Sequence, residues 1–202
     1  MIIKTYVVPP IENNNYLVID EVSNEALLID CSSENKQLEK DLQELGATLK
    51  YVLLTHGHFD HIAGLNSIVG AEVFMHQADS DWLNNVNKYL PMFGMSDIEI
   101  PKINHYIIDG DVIKLGNQEF KVIHTPGHTQ GGVCYLVGDV LFTGDTLFRE
   151  SVGRCDLEGG NFNQIVFSIE SKLFTLPKET KIYPGHGRVS TIGWEIEHNN
   201  YF

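Results

Sequence analysis

The chain has 202 residues, of which 43% are hydrophobic and 20% charged. That composition excludes wholesale disorder and suits about one domain with its own core. Against 14 basic residues stand 27 acidic ones, a formal net charge of −13, which disfavours a nucleic-acid partner and favours cations as guests.

No uninterrupted apolar run approaches the ~18 residues of a membrane helix. The first fifteen residues hold one early Lys and the pair Pro9-Pro10. They lack a long apolar stretch and a small-residue cleavage site, so no secretory signal is expected. Cys31, Cys134 and Cys155 are an odd set at unrelated spacings. They give no disulfide framework and no cysteine-type zinc site. A reducing, cytoplasmic address without membrane association is the expectation.

In chain order, residues 16–20 and 26–29 are short apolar runs joined by a polar turn, which predicts a hairpin. Ser32-Ser33 offers a helix N-cap. Leu38, Leu42 and Leu45 follow at helical spacing, and Gly46 stands where a C-terminal cap belongs. Residues 51–54 read as a buried strand and 60–69 as a short helix. Residues 77–90 carry Trp82, Leu83, Val86, Tyr89 and Leu90 on one face, predicting an amphipathic helix. The segment 91–97 breaks that pattern with Met92, Phe93 and Met95, a candidate hydrophobic lid or contact surface.

Strands are predicted over 105–108, 111–115, 119–124, 133–137 and 140–143, with Gly116-Asn117 and Gly138-Asp139 as turns. Phe162, Ile165, Val166, Ile169 and Leu173 mark a last helix after Asn161, and 181–183 a final strand. No linker, repeat or low-complexity tract divides residues 1–202. The βα alternation mixed with hairpins predicts one α/β domain with mixed sheets.

Nine histidines are an unusual wealth, and their placement carries the chemistry. His56-Gly57-His58-Phe59-Asp60-His61 follows directly on an apolar strand. Three further strands end the same way, in a Gly or Pro turn and then a ligand-type residue. They lead to Thr125-Pro126-Gly127-His128, to Gly144-Asp145-Thr146 and to Pro184-Gly185-His186. Loops beyond strand C-termini are where α/β proteins assemble sites. His56, His58, Asp60, His61, His128, Asp145 and His186 are therefore the candidate ligands. His76, His105, His124 and His198 are read as ordinary core or surface residues.

Imidazole and carboxylate suit zinc and tolerate iron or manganese. The candidates are too many for one tetrahedral ion and fit two ions sharing a carboxylate. Such a pair, ~3.5–4 Å apart, holds a hydroxide and polarises a carbonyl or phosphoryl oxygen. A closed structural site would have no open position, so a metal-storing protein fits less well.

The H-x-H-x-D-H signature, Pro126-Gly127-His128-Thr129, Gly144-Asp145-Thr146 and Pro184-Gly185-His186-Gly187 resemble the metallo-β-lactamase superfamily. The runs 144–149, 153–157 and 159–161 resemble its short, single-domain glyoxalase II-like hydrolases. The resemblance implies a four-layer αββα sandwich with the site at one edge. It implies that His56, His58 and His128 hold one metal, that Asp60, His61 and His186 hold the other, and that Asp145 bridges them. Asp30 matches an aspartate that supports the site from behind.

The implied activity is thioester hydrolysis, as of hydroxyacylglutathione, by a metal-bridging hydroxide, with Asp60 handling the proton and Asp145 completing the catalytic pair. The implied partner is a small-molecule thioester. Glyoxalase II proper has an additional helical domain that recognises glutathione; this sequence stops about where it would begin, so a smaller or different thiol carrier is expected. Alternatives with the same fold are a mononuclear iron persulfide dioxygenase and a lactonase. A β-lactamase would be exported, and a nuclease would not carry this charge. Arg149 and Arg154 are candidates for binding a substrate carboxylate; Arg154 is also spaced to pair with Asp156. Cys155 reads as an inert small residue.

Overall fold

The computed structural model describes residues 1–9 and 11–202; of the Pro9-Pro10 pair, Pro10 lies outside the described residues. The first half runs β1 (Ile2–Val8), β2 (Asn13–Ile19), β3 (Glu25–Ile29), α1 (Lys36–Glu44), β4 (Thr48–Leu53), α2 (Phe59–Ile62), β5 (Glu72–His76), α3 (Ser80–Asn84) and β6 (His105–Ile107). The second runs β7 (Val112–Leu115), β8 (Gln118–His124), β9 (Val133–Val137), β10 (Val140–Gly144), β11 (Leu147–Phe148), β12 (Ser151–Val152), α4 (Phe162–Ser168), β13 (Lys181–Pro184), β14 (Ser190–Thr191) and α5 (Ile192–His198).

One sheet has the order β1-β2-β3-β4-β5-β6 and the other β14-β13-β10-β9-β8-β7. Both are mixed. The first is antiparallel through β3 and parallel from β3 to β6. The second is antiparallel except for the β10–β13 pair. The expected αββα architecture is the one observed.

Period-two alternation builds the layers. Along β2, Tyr16 and Val18 face the other sheet, where they meet Phe120, Val122, Tyr135 and Phe142. Leu17 and Ile19 face the first helical layer with Leu38, Ile62 and Leu83. Ile123, Cys134 and Leu141 point outward to Ile165, Ile169 and Ile192 in the second helical layer. Strands covered on both faces read as continuous apolar runs.

Several boundaries differ from expectation. The N-cap of α1 is Asn35, whose side chain accepts from Gln37 N and Leu38 N, in place of Ser32-Ser33. The single helix expected over 77–90 is a chain of short turns around α3, with three-ten turns at 77–79, 86–88 and 90–93. Asn87 bonds to Ile98 through both its amide atoms, and Pro91 has no N–H to continue a helix. The helix expected over 60–69 stops at Ile62 and resumes as a three-ten turn at 65–67. Among the described residues, no helix is long and apolar enough to cross a membrane.

Phe120 is fully buried between the sheets. Phe120→Ala is expected to cost about 3–5 kcal/mol of stability through lost transfer energy and the cavity left behind. Urea unfolding of the metal-free protein measures it. A loss below ~1 kcal/mol would show that the sheets close over the gap.

Candidate metal centre

Strand direction brings the ligand loops together. β3 and β4 are parallel, so Asp30 and His56 leave the first sheet at the same edge. β8 and β10 flank β9 antiparallel, and β10 is parallel to β13, so His128, Asp145 and His186 leave the second sheet at one edge. The two edges are stitched together. Asn13 forms an isolated bridge with His186, and Asn14 N donates to Gly185 O at 2.7 Å. Tyr16 Oη donates to Pro184 O at 2.6 Å. Tyr135 Oη donates across the sandwich to Leu54 O at 2.7 Å, next to the His56 loop.

Three donor clusters result, in each of which the ligand atoms lie within 4.8 Å of one another: His56, His58 and His128; His56, His61 and Asp145; Asp60, His61 and His186. In the first, His56 Nε2 lies 3.1 Å from His58 Nδ1 and 3.2 Å from His128 Nε2. Asp145 spans the clusters. Its Oδ1 is 3.5 Å from His61 Nε2, and its Oδ2 is 3.6 Å from both His128 Nε2 and His186 Nε2. Asp60 Oδ2 is 3.3 Å from His186 Nε2 and 3.7 Å from His61 Nε2.

Hydrogen bonding behind the rings fixes which nitrogens face inward. His128 Nδ1 donates to Arg154 O at 2.7 Å, leaving a lone pair on Nε2. Thr55 Oγ1 donates to Asp30 Oδ2 and so accepts from His56 Nδ1 at 3.1 Å, leaving a lone pair on His56 Nε2. Two buried lone pairs therefore face each other at 3.2 Å. Nothing in the chain's own chemistry makes that favourable. Burial also pushes His58 down to about 3 and His56 well below its usual value, each helped by neighbouring imidazoles. Both rings are neutral and free to ligate at neutral pH.

The residues present fit a pair of cations. Donors ~2.0–2.1 Å from a tetrahedral ion stand about 3.3 Å from one another, close to the spacings of the first cluster. The buried side-chain atoms without a hydrogen-bond partner include His58 Nε2 and Asp145 Oδ1, and the second of these points into the site. A Cβ on Gly185 would overlap Asp145 Oδ1 and crowd the His61 ring, so only glycine lets that loop close on the cluster.

The carboxylates answer the second cluster. Burial works against charge on His61, yet Asp30, Asp60 and Asp145 hold it protonated well above its usual range. Asp145 is held below its usual value despite burial, by His61, His128 and His186. Asp30 takes a positive φ of 58°, a conformation that aspartate tolerates better than most residues. From there it accepts from Thr55 N at 2.8 Å and from His61 Nδ1 at 2.7 Å.

The sequence reading did not single out Asp79 or Asn13. Asp79 is fully buried. It accepts from Gly57 N at 2.9 Å, Thr129 Oγ1 at 2.8 Å and Gly131 N at 2.6 Å. It thus clamps the His56–His58 loop to the loop that carries His128. A carboxylate in an apparent helix gives no sequence signal of that role. Asn13 Nδ2 approaches His61 Nε2 at 2.7 Å.

Above the clusters lies a cavity of about 630 Å³, lined by Phe59, Trp82, Tyr89, Phe93 and Phe148 together with ligand side chains. Arg154 lines it, but its guanidinium is forked onto Asp156, with both bonds at 2.7 Å. Arg149 lies outside it, 4.7 Å over the Trp194 ring and paired with Glu150. Cys155 has its thiol pushed up by burial and touches Gly153 O. His105 pairs with Glu72 at the surface, and His76 stacks on His124; neither joins the clusters, nor does His198, which stacks on Trp194.

Fold and site together define a metal-dependent hydrolase built on two sheets. The family model of the metallo-beta-lactamase superfamily matches residues 9–186, and the chain belongs to that superfamily. It is 32% identical to the hydroxyacylglutathione hydrolase GloC of Haemophilus influenzae, over 94% of this chain and 92% of the relative. Among solved structures it is similar to the BLEG-1 B3 metallo-beta-lactamase, with a TM-score of 0.91, 32% identity and 99% of each chain covered. It is also similar to TTHA1623 in a di-iron-bound form, with a TM-score of 0.87, 32% identity, and 98% of this chain and 100% of the other covered.

Two measurements check the site. Asp30→Ala is expected to weaken metal affinity about 10–100-fold by freeing the His61 ring, whereas His105→Ala leaves metal content unchanged. Competition against a chromophoric chelator reads both, and metal loss in the His105 variant would show a wrong ligand set. Asp79→Ala is expected to cost ~3 kcal/mol or more, because three buried donors lose their acceptor. Denaturant unfolding reads that value, and wild-type stability would mean that water replaces the carboxylate.

Proposed function

We propose that this protein is a dinuclear metal-dependent thioester hydrolase of the glyoxalase II-like type. The observation that carries the reading is a single carboxylate, Asp145, whose Oδ1 lies 3.5 Å from His61 Nε2 and whose Oδ2 lies 3.6 Å from both His128 Nε2 and His186 Nε2, at the floor of a substrate-sized cavity. His56, His58 and His128 would hold one ion, Asp60, His61 and His186 the other, and Asp145 would reach both. Divalent ions bound there supply a nucleophile at neutral pH and polarise a carbonyl oxygen. Zinc suits the imidazole and carboxylate donors, with iron and manganese as the other candidates. Similarity to a hydroxyacylglutathione hydrolase supports the thioester, and similarity to a di-iron protein keeps iron in view.

The chain's own residues orient and exclude. Asp30 and the Arg154 carbonyl accept from Nδ1 of His61 and of His128 and so orient both rings. Asp60 lines the cavity. Its Oδ2 faces His61 and His186, and its Oδ1 is the atom we assign to proton handling. Phe59, Trp82 and Phe148 limit water around the bond to be cleaved. The negative charge of the chain accords with a small-molecule partner and no nucleic acid. The unpaired thiols of Cys31, Cys134 and Cys155 accord with a reducing, cytoplasmic setting.

One observation favours a second reading. His56, His61 and Asp145 form a two-histidine, one-carboxylate cluster, the donor set of mononuclear iron oxygenases, as a persulfide dioxygenase would use. The deciding experiment assays S-lactoylglutathione, an acyl-CoA and a neutral acyl-N-acetylcysteamine, with a lactone, a β-lactam and glutathione persulfide beside them, on protein loaded with zinc, iron or manganese. Metal per chain is measured in parallel. Expected are thioester turnover, two ions per chain, and a loss of turnover of ~100-fold or more in Asp145→Ala, beyond the range for outer-shell partners. One iron per chain with persulfide-dependent oxygen uptake and no thioester turnover would overturn the reading.

A further inference from the structure

The cavity changes character over a few ångströms. Its floor is imidazole and carboxylate. Its wall is aromatic, and that wall begins in contact with a ligand: the Trp82 and His58 rings lie 4.3 Å apart, edge on. Trp82 continues to Tyr89 at 4.8 Å, and Phe59 to Phe93 at 4.4 Å. At the rim, Met92 is 77% exposed and Phe93 49%. Large apolar side chains left in water beside a cavity gain most when an apolar ligand covers them.

Away from the candidate metal donors, basic side chains that could meet an anionic carrier are scarce along the described lining. Among the described residues, Arg154 is the one basic side chain besides the candidate ligand histidines that lines the cavity, and its Nε and Nη2 are forked onto Asp156. The cleft on the other side of Trp82 and Tyr89 sets Asp81 and Glu158 against Lys88. A glutathione conjugate would bring carboxylates to a surface that already carries more of them than cations.

We infer that the site takes an uncharged substrate whose acyl group is aliphatic or aromatic, and that Trp82 and Phe93 determine this specificity. The inference rests on the thioesterase reading for the bond cleaved. That bond is the thioester C–S: a C–O bond forms to water, and the thiol leaves with the proton. The acyl group attached to the reacting carbon then lies along the Trp82 ring, because that ring touches His58 and the carbonyl must reach the same ligands.

The test uses one small neutral carrier, N-acetylcysteamine, with acyl groups from acetyl to octanoyl, on the zinc-loaded protein. Burying each added methylene against the wall is expected to raise kcat/KM about fourfold until the cavity is full. Succinyl and glutathione counterparts of the same length are expected to fall below the neutral esters. Phe93→Ala should lower octanoyl kcat/KM by about tenfold more than acetyl, with Phe93→Leu restoring most of the gradient.

Calorimetry with S-alkyl-N-acetylcysteamine thioethers, which cannot be hydrolysed, gives a readout apart from turnover. Affinity should rise with alkyl length and exceed that of S-hexylglutathione. A steep binding gradient with no turnover of any thioester would sink the thioesterase reading and leave the apolar specificity standing. Turnover that is flat with chain length, or tighter binding of S-hexylglutathione, would overturn the inference and leave the thioesterase reading intact.

Discussion

Two buried imidazole lone pairs facing each other at 3.2 Å set the terms for the rest of this molecule. Protonating His56 would relieve the contact, but burial and the neighbouring imidazoles hold that ring neutral. Moving one would relieve it too, but each ring is held from behind by a partner it cannot leave cheaply: Thr55 for His56 and the Arg154 carbonyl for His128. The chain therefore keeps an arrangement that a cation between the rings would stabilise. The cost is met by the surrounding sandwich, whose two sheets bury their facing side chains almost completely.

That constraint explains otherwise unrelated details. Asp30 adopts a positive φ at the end of β3, and from there its oxygens accept from both Thr55 and His61. Gly57 must lack a side chain because Asp79 packs against it, where a Cβ would lie 2.9 Å from the Asp79 carbonyl oxygen. The run Asn13-Asn14-Asn15 opens a buried strand because Asn14 Nδ2 donates to Pro184 O and Gly187 O on either side of the His186 turn, while Asn15 Nδ2 donates to Asn13 Oδ1 and Ser32 Oγ. Polar side chains at a strand start are ordinarily turn chemistry; here they are the seam between sheets.

That the candidate ligands gather at one edge was legible in the sequence because strand–turn–ligand is a local pattern repeated at each loop, and the strands before the turns are apolar enough to mark. What was not legible depends on contacts remote in sequence. The expected helix over 77–90 carries good apolar periodicity, but Asp79 turns its carboxylate toward Gly57 and Gly131 and Asn87 bonds to Ile98, so tertiary bonds override it. β1 passed unmarked because it is an edge strand whose outer positions, such as Val7, are exposed. α5 passed unmarked because its anchor is a buried carboxylate: Glu195 accepts from Glu150 N and from the Ser190 hydroxyl. Arg154 could be read as anion-binding or as pairing two residues on, and the fork onto Asp156 occupies the guanidinium.

Floor and wall differ in how they are held, and the difference bears on where specificity resides. The floor sits on strand ends tied by buried carboxylates and backbone bonds across the two sheets, so changes there propagate into the core. The wall sits on α2, on α3 with the three-ten turns around it from 77 to 93, and on the 147–157 loop, where the rim side chains Met92 and Phe93 meet solvent. A fold of this kind can keep one reaction while its wall is rebuilt for another acyl or leaving group. Resemblance over the whole chain therefore speaks for the floor, while the indole and phenyl rings beside His58 and Asp60 speak for what the site admits.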